Sequence, residues 1–152
     1  MLVWWIIGGL VVGLVLWAIS AWIGLSADRR VVDTAWRHLV PHLDRRRELA
    51  ARAAERHAGA AGSQVGSALD ASGERIVGER RVSVAVDDLL AELGPGADPD
   101  LEAAQFHVRV AGRIHDDCAL AYNARLRSAS ARMLARPLDL APRPYLLGDP
   151  EV

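Results

Sequence analysis

Two clusters in this chain carry side chains of the kind that bind metals or move protons. His38 and His42 stand four apart in "AWRHLVPHLDRRRELA", a spacing that brings two imidazoles to one helical face and could chelate a cation. His115, Asp116, Asp117 and Cys118 follow one another directly, and all four are ligand types. Geometry argues against both. Pro41 distorts the face shared by the two histidines, no glutamate follows in the zinc-peptidase arrangement, and no third ligand is fixed. Adjacent residues on a helix point in different directions, so the second cluster does not converge; His115 and Cys118 fall on an apolar stripe and read as core-edge residues. GxSxG, phosphate-loop, CxxC and HExxH patterns do not occur. The expectation is therefore a non-enzymatic protein without metal, cofactor or small-molecule substrate. A membrane-tethered metal-dependent hydrolase using these histidines is the alternative.

A third cluster, Arg45, Arg46 and Arg47, is basic. It would reach anionic lipid if the helix bends back at Pro41, or form a solvated face paired with acidic neighbours such as Asp44 and Glu48. Arg46 differs from its neighbours in lying on the apolar stripe of its helix. It predicts an inward-reaching guanidinium that needs planar acceptors, with Asn123 or a carboxylate on the last helix as candidates. Bulk charge does not point to nucleic acid: the 18 basic residues are all arginine and interleave with 19 acidic ones. The single cysteine, Cys118, cannot form an internal disulfide.

The elements that would position these residues begin with "LVWWIIGGLVVGLVLWAISAWIGL", residues 2–25, a run without charge long enough to cross a bilayer as a helix. Residues 1–26 are read as a single transmembrane anchor, with Leu2, Trp4, Trp5, Gly9, Gly13, Trp17, Trp22 and Leu25 within it. Trp4 and Trp5 lie about 27 Å from Trp22 at helical rise, the separation of two interfacial aromatic belts. Gly9 and Gly13 form a GxxxG, the spacing at which two membrane helices approach closely, and self-association through it is considered. No Lys or Arg precedes the run, whereas Arg29, Arg30 and Arg37 follow it, so the positive-inside rule places the N-terminus outside and the C-terminal region in the cytoplasm. Ala18 and Ser20 also form a small-x-small site, and export after cleavage there is the competing reading.

Beyond the anchor the spacing predicts three amphipathic helices, hence an all-α chain with an antiparallel bundle of three or four long helices over residues 27–136. The first carries Val32, Trp36, Leu39, Leu43, Ala50, Ala53 and His57 at helical intervals up to about Ala58, continuous with the anchor, and Pro41 should kink or split it near Val40. Residues 59–80 are glycine-rich and weaken any helix, yet Val65, Leu69, Ile76, Val82, Val86, Leu89 and Leu93 fit one face of a second helix broken at its start. "LGPGADP" stops it. The third helix is capped by Asp98 or Asp100, opens on Pro99, and shows Leu101, Ala104, Val108, Ala111, His115, Cys118, Tyr122, Leu126, Ala129 and Met133 on one stripe to about Ala135. Pro137, Pro142 and Pro144 then imply an extended, proline-rich tail over 137–152.

Taken together, the membrane helix, "AWRHLVPHLDRRRELAARAAERHAG", "PDLEA", and "YN" followed by a proline fourteen residues after the asparagine resemble the LemA family. Trp36, Leu39, Leu43, Arg46 and Leu49 match the family's spaced positions in its first cytoplasmic helix, with a fainter match at Glu55 and Gly59. Pro99, Asp100, Leu101 and Ala103 match the turn that opens its last long helix, and Tyr122, Asn123 and Pro137 match its tyrosine-asparagine pair and closing proline. The chain departs from the pattern at Ala50, Ala51, Arg52 and Ala53, at Ala129 and Ser130 where a second such pair is usual, at Pro41, and in its short middle helix. It is similar to a divergent, shortened member. The resemblance implies a membrane-anchored helical protein whose partners are the bilayer, other membrane proteins or copies of itself, and it supplies no catalytic mechanism. On this reading Tyr122 packs in the core and Asn123, one position round, bridges to a neighbouring helix.

Overall fold

The computed structural model describes residues 2–57, 59–70, 75–128, 132 and 140–148. Among them all regular structure is helical, in four elements: α1 (Leu2–Arg56), α2 (Ala60–Asp70), α3 (Arg75–Leu93) and α4 (Pro99–Leu126).

α1 begins in the uncharged run and is long and apolar enough to cross a membrane. Its large apolar side chains from Trp4, 78 % exposed, to Ile23 are uncovered by protein, and a Cβ added at Gly9 or Gly13 would meet nothing. Cover starts at Leu25, which is only 2 % exposed although the sequence places it in the anchor. The helix then passes through Pro41 without interruption. Of the kink or split expected near Val40, the split does not occur: proline removes one main-chain N–H, and Leu39 and Leu43, both fully buried on either side, hold the intervening turn by packing. His57, counted by periodicity as helical, lies just past the end of α1 and is half-buried.

The described chain forms two compact units. In the first, α1 up to Asp33 is grouped with Cys118–Arg143, and Leu25, Val32, Ala119, Tyr122 and Leu126 are buried. The second runs from Thr34 to Asp117 and includes the segment that begins at Pro144. Its main core joins Leu49, Ala50 and Ala53 of α1 to Ala61 and Val65 of α2, to Val82, Ala85, Val86 and Leu89 of α3, and to Leu101 and Ala104 of α4. A smaller cluster contains Leu39, Leu43, Val108 and Leu146, flanked by Trp36, Ile76 and Ala111.

The glycine-rich middle forms two helices, α2 and α3, packed on one another, so the break expected at the start of the second helix separates two elements. Gly62 is required where α2 starts: a Cβ there would lie 2.0 Å from the His57 carbonyl oxygen. The α3–α4 turn uses Gly94 and Gly96 at φ of 84° and 78°, in the left-handed region that glycine adopts without strain. Of the two proposed caps, Asp98 is the one: its Oδ1 accepts from Leu101 N at 3.2 Å, Pro99 is the first helical residue, and Asp100 falls in the first turn. The α4 stripe is buried at Leu101, Ala104, Val108, His115, Tyr122 and Leu126, and half-buried at Ala111 and Cys118. α4 runs to Leu126 and is followed by a turn where Ser128 N donates to Arg125 O at 3.0 Å; of the expected continuation to Ala135, Arg132 is described as helical and its N–H donates to Ser128 O at 3.0 Å. Ala129, Ser130, Met133 and Pro137 lie outside the described residues.

Candidate interaction site

On each of three helices one polar residue takes a position of the apolar stripe. Arg46 follows Leu39 and Leu43 on α1, Glu79 stands between Ile76 and Val82 on α3, and Gln105 stands between Leu101 and Val108 on α4. All three are essentially inaccessible to solvent, Arg46 at 0 % and Glu79 at 1 %. They meet. Arg46 Nη2 donates to Glu79 Oε2 at 2.5 Å and to the Glu79 carbonyl at 3.3 Å, while Nη1 donates to Ser83 Oγ and to Gln105 Oε1 at 3.3 Å. Gln105 Nε2 in turn donates to Ser83 O at 3.3 Å and to Asp87 Oδ1 at 3.0 Å. The other Glu79 oxygen pairs with Arg47 Nη2 at 2.7 Å. Burial holds the Arg46 guanidinium below its ordinary value, opposed by the charge and hydrogen bond of Glu79.

The inward arginine was legible in the sequence; its partners were not. Neither Asn123 nor a carboxylate of α4 receives Arg46. Glu79 and Gln105 occupy gaps in otherwise apolar stripes, and the gap itself is the signal the sequence offers. The rest of the basic run is divided between two environments: Arg45 pairs with Glu48 at 3.1 Å on the solvent side, and Arg47 reaches inward to Glu79.

The second unit also holds a groove that grips the main chain where it bends at Leu146 and Leu147. The Asp116 carboxylate accepts from two successive amides, Leu146 N at 2.7 Å and Leu147 N at 2.8 Å. Arg80 donates to two successive carbonyls, Nη2 to Tyr145 O at 2.8 Å and Nε to Leu146 O at 2.9 Å. Two side chains thus satisfy the backbone that a sheet or helix would otherwise have to satisfy. Tyr145 is buried, and the Leu146 side chain fills the cluster with Leu39, Leu43 and Val108. The tail, expected to be extended, has no regular structure over 140–148, bends at Leu146 and Leu147, and is docked over 144–147.

His115 is buried, its Nδ1 3.1 Å from Asp116 Oδ1 and its ring 5.3 Å from Trp36 in an edge-on arrangement. The four-residue ligand cluster is dispersed: Asp116 faces the tail, Asp117 is exposed and Cys118 is half-buried. His38 and His42 are both exposed, and His42 stacks on His107 at 5.7 Å. Among the described residues no group of three or more His, Cys, Asp or Glu side chains is placed to hold a metal ion.

In the first unit Tyr122 is buried, 1 % exposed. Asn123 bridges differently from expectation: its amide closes a two-way pair with the backbone of Arg143, Nδ2 to the carbonyl and Oδ1 from the N–H, each 2.8 Å. It therefore fastens the incoming tail instead of a helix, because an amide offers one donor and one acceptor in the geometry a peptide presents. The Arg143 guanidinium continues to Asp33 at 2.7 Å, and Arg125 joins Asp28 at 2.9 Å. Comparison with protein-family models, curated proteins and solved structures returned no match to this chain.

Proposed function

We propose that this chain is a single-pass, LemA-like membrane protein whose C-terminal helical bundle lies in the cytoplasm and acts without catalysis, as a scaffold for other membrane proteins or for copies of itself. The observation that carries the proposal is α1. One helix presents a bare apolar surface from Trp4 to Ile23 and then, from Leu25, an apolar stripe covered by protein. A surface of that extent is stable only in contact with hydrocarbon or another protein. Tryptophans at 4, 5 and 22 and the arginines after residue 28 support the span and its direction.

Two measurements test it. Carbonate washing of membranes that contain the full chain should leave it in the pellet, and release into the supernatant would remove the anchor. A Val84→Cys variant with Cys118→Ser places one thiol on the exposed side of α3. A membrane-impermeant maleimide should label it only after permeabilisation; labelling in intact cells would place the helical region outside.

A further inference from the structure

We propose that the groove of Asp116, Arg80 and the Leu39–Leu43–Val108 cluster is a receptor for a short, bent peptide segment, occupied here by the chain's own tail and open to the tail of a second copy. The contact is built from recognition elements that do not depend on chain continuity. A carboxylate takes two successive N–H groups, a guanidinium takes two successive carbonyls, and one leucine, Leu146, enters an apolar pocket. Backbone contacts supply the hold and the side-chain pocket supplies selectivity. The floor is shaped for close approach: a Cβ at Gly112 would come within 3.1 Å of Leu146 Cδ2 and 3.3 Å of Leu147 Cγ.

The second copy is the occupant we commit to, because its tail has the very sequence whose fit is observed. Exchange of an identical segment keeps every contact and adds only the cost of association. This inference deepens the self-association within the proposed function, and it uses the membrane only to concentrate copies on one surface. Docking itself depends on no bilayer, so the two ideas fail separately.

The test has two arms, both on the full chain in detergent, with circular dichroism melts to show that each variant is folded. First, Leu146→Asp empties the groove from the tail side while leaving its walls intact. A fluorescein-labelled peptide of residues 140–148, LAPRPYLLG, should bind this variant saturably and bind the unmodified chain at least about ten-fold more weakly, since a tethered tail competes at roughly millimolar effective concentration. Adding Asp116→Ala should abolish binding. Failure of the peptide to bind Leu146→Asp, or equal binding with and without Asp116, overturns the receptor. Second, one copy carries Gly112→Cys and the other Leu147→Cys, both with Cys118→Ser, and the two are co-expressed and oxidised with copper phenanthroline. A disulfide-linked heterodimer is expected. Its absence, while a chain with both cysteines closes internally, overturns the second copy as occupant.

Discussion

Two places in the second unit use an arginine and a carboxylate, and they use them for opposite ends. Around Arg46 the charges face each other, Glu79 receiving Arg46 and Arg47, with Gln105 and Ser83 accepting from Arg46 Nη1 and the buried Arg46 Nε left without an acceptor among the described residues. Around the tail the charges face neutral backbone, Asp116 and Arg80 each spanning two peptide groups. The first arrangement cannot open without leaving a bare ion in a low-dielectric interior. The second can, because amides and carbonyls released from it return to water at little cost. The same residue types thus make a permanent fastening in one place and a detachable one in the other.

The largest effect should come from breaking the fastening. Glu79→Ala strands the Arg46 charge without its counter-ion, and thermal melts should show a loss of about 3–5 kcal/mol. Replacing both partners, Arg46→Met with Glu79→Leu, should restore most of that stability, since an apolar pair of similar volume needs no compensation. A double variant as unstable as Glu79→Ala would mean that the surrounding hydrogen bonds, and not the stranded charge, carry the loss. Next in size is Tyr122→Ala in the other unit, where lost burial should cost on the order of 3 kcal/mol in the same assay. An unchanged melting temperature would tell against its place in the core. Gly62→Ala should lower stability by about 1–3 kcal/mol, because its methyl group meets the His57 carbonyl rather than a yielding side chain.

The detachable contact predicts smaller changes in melting. Asp116→Ala removes the acceptor of two amides, yet the tail can leave and be hydrated, so the loss should stay near 1 kcal/mol. Proteolysis after residue 126 should nevertheless rise clearly, and a tail as resistant as in the unmodified chain would show that Asp116 does not hold it. His42→Ala at the exposed stack with His107 should change stability by less than about 0.5 kcal/mol.

Helical periodicity made the apolar stripes legible, as Leu39, Leu43, Leu101, Val108 and Tyr122 show by their burial. It did so because a 3.6-residue period is a local property of the chain. What periodicity could not reveal was pairing between stripes. Nothing local marks Glu79 as the partner of Arg46, and Asn123, expected to bridge helices, pairs with Arg143, which returns to it from twenty residues on. Pro41 shows the same limit: its local preference to break a helix does not split α1, where Leu39 and Leu43 pack on either side, and no local rule contains that packing. The tail groove was invisible altogether, since Asp116 and Arg80 recognise backbone, which every sequence has.

Native-state hydrogen exchange on the full chain in lipid nanodiscs tests the contrast most directly, because it reads the opening of both places in one sample. The account predicts that the amides of Leu146 and Leu147 exchange through a local opening, well below the free energy of global unfolding. The amides of Val82 and Val86, on the α3 face beside Glu79, should exchange only with global unfolding. Equal protection at the two places would contradict it.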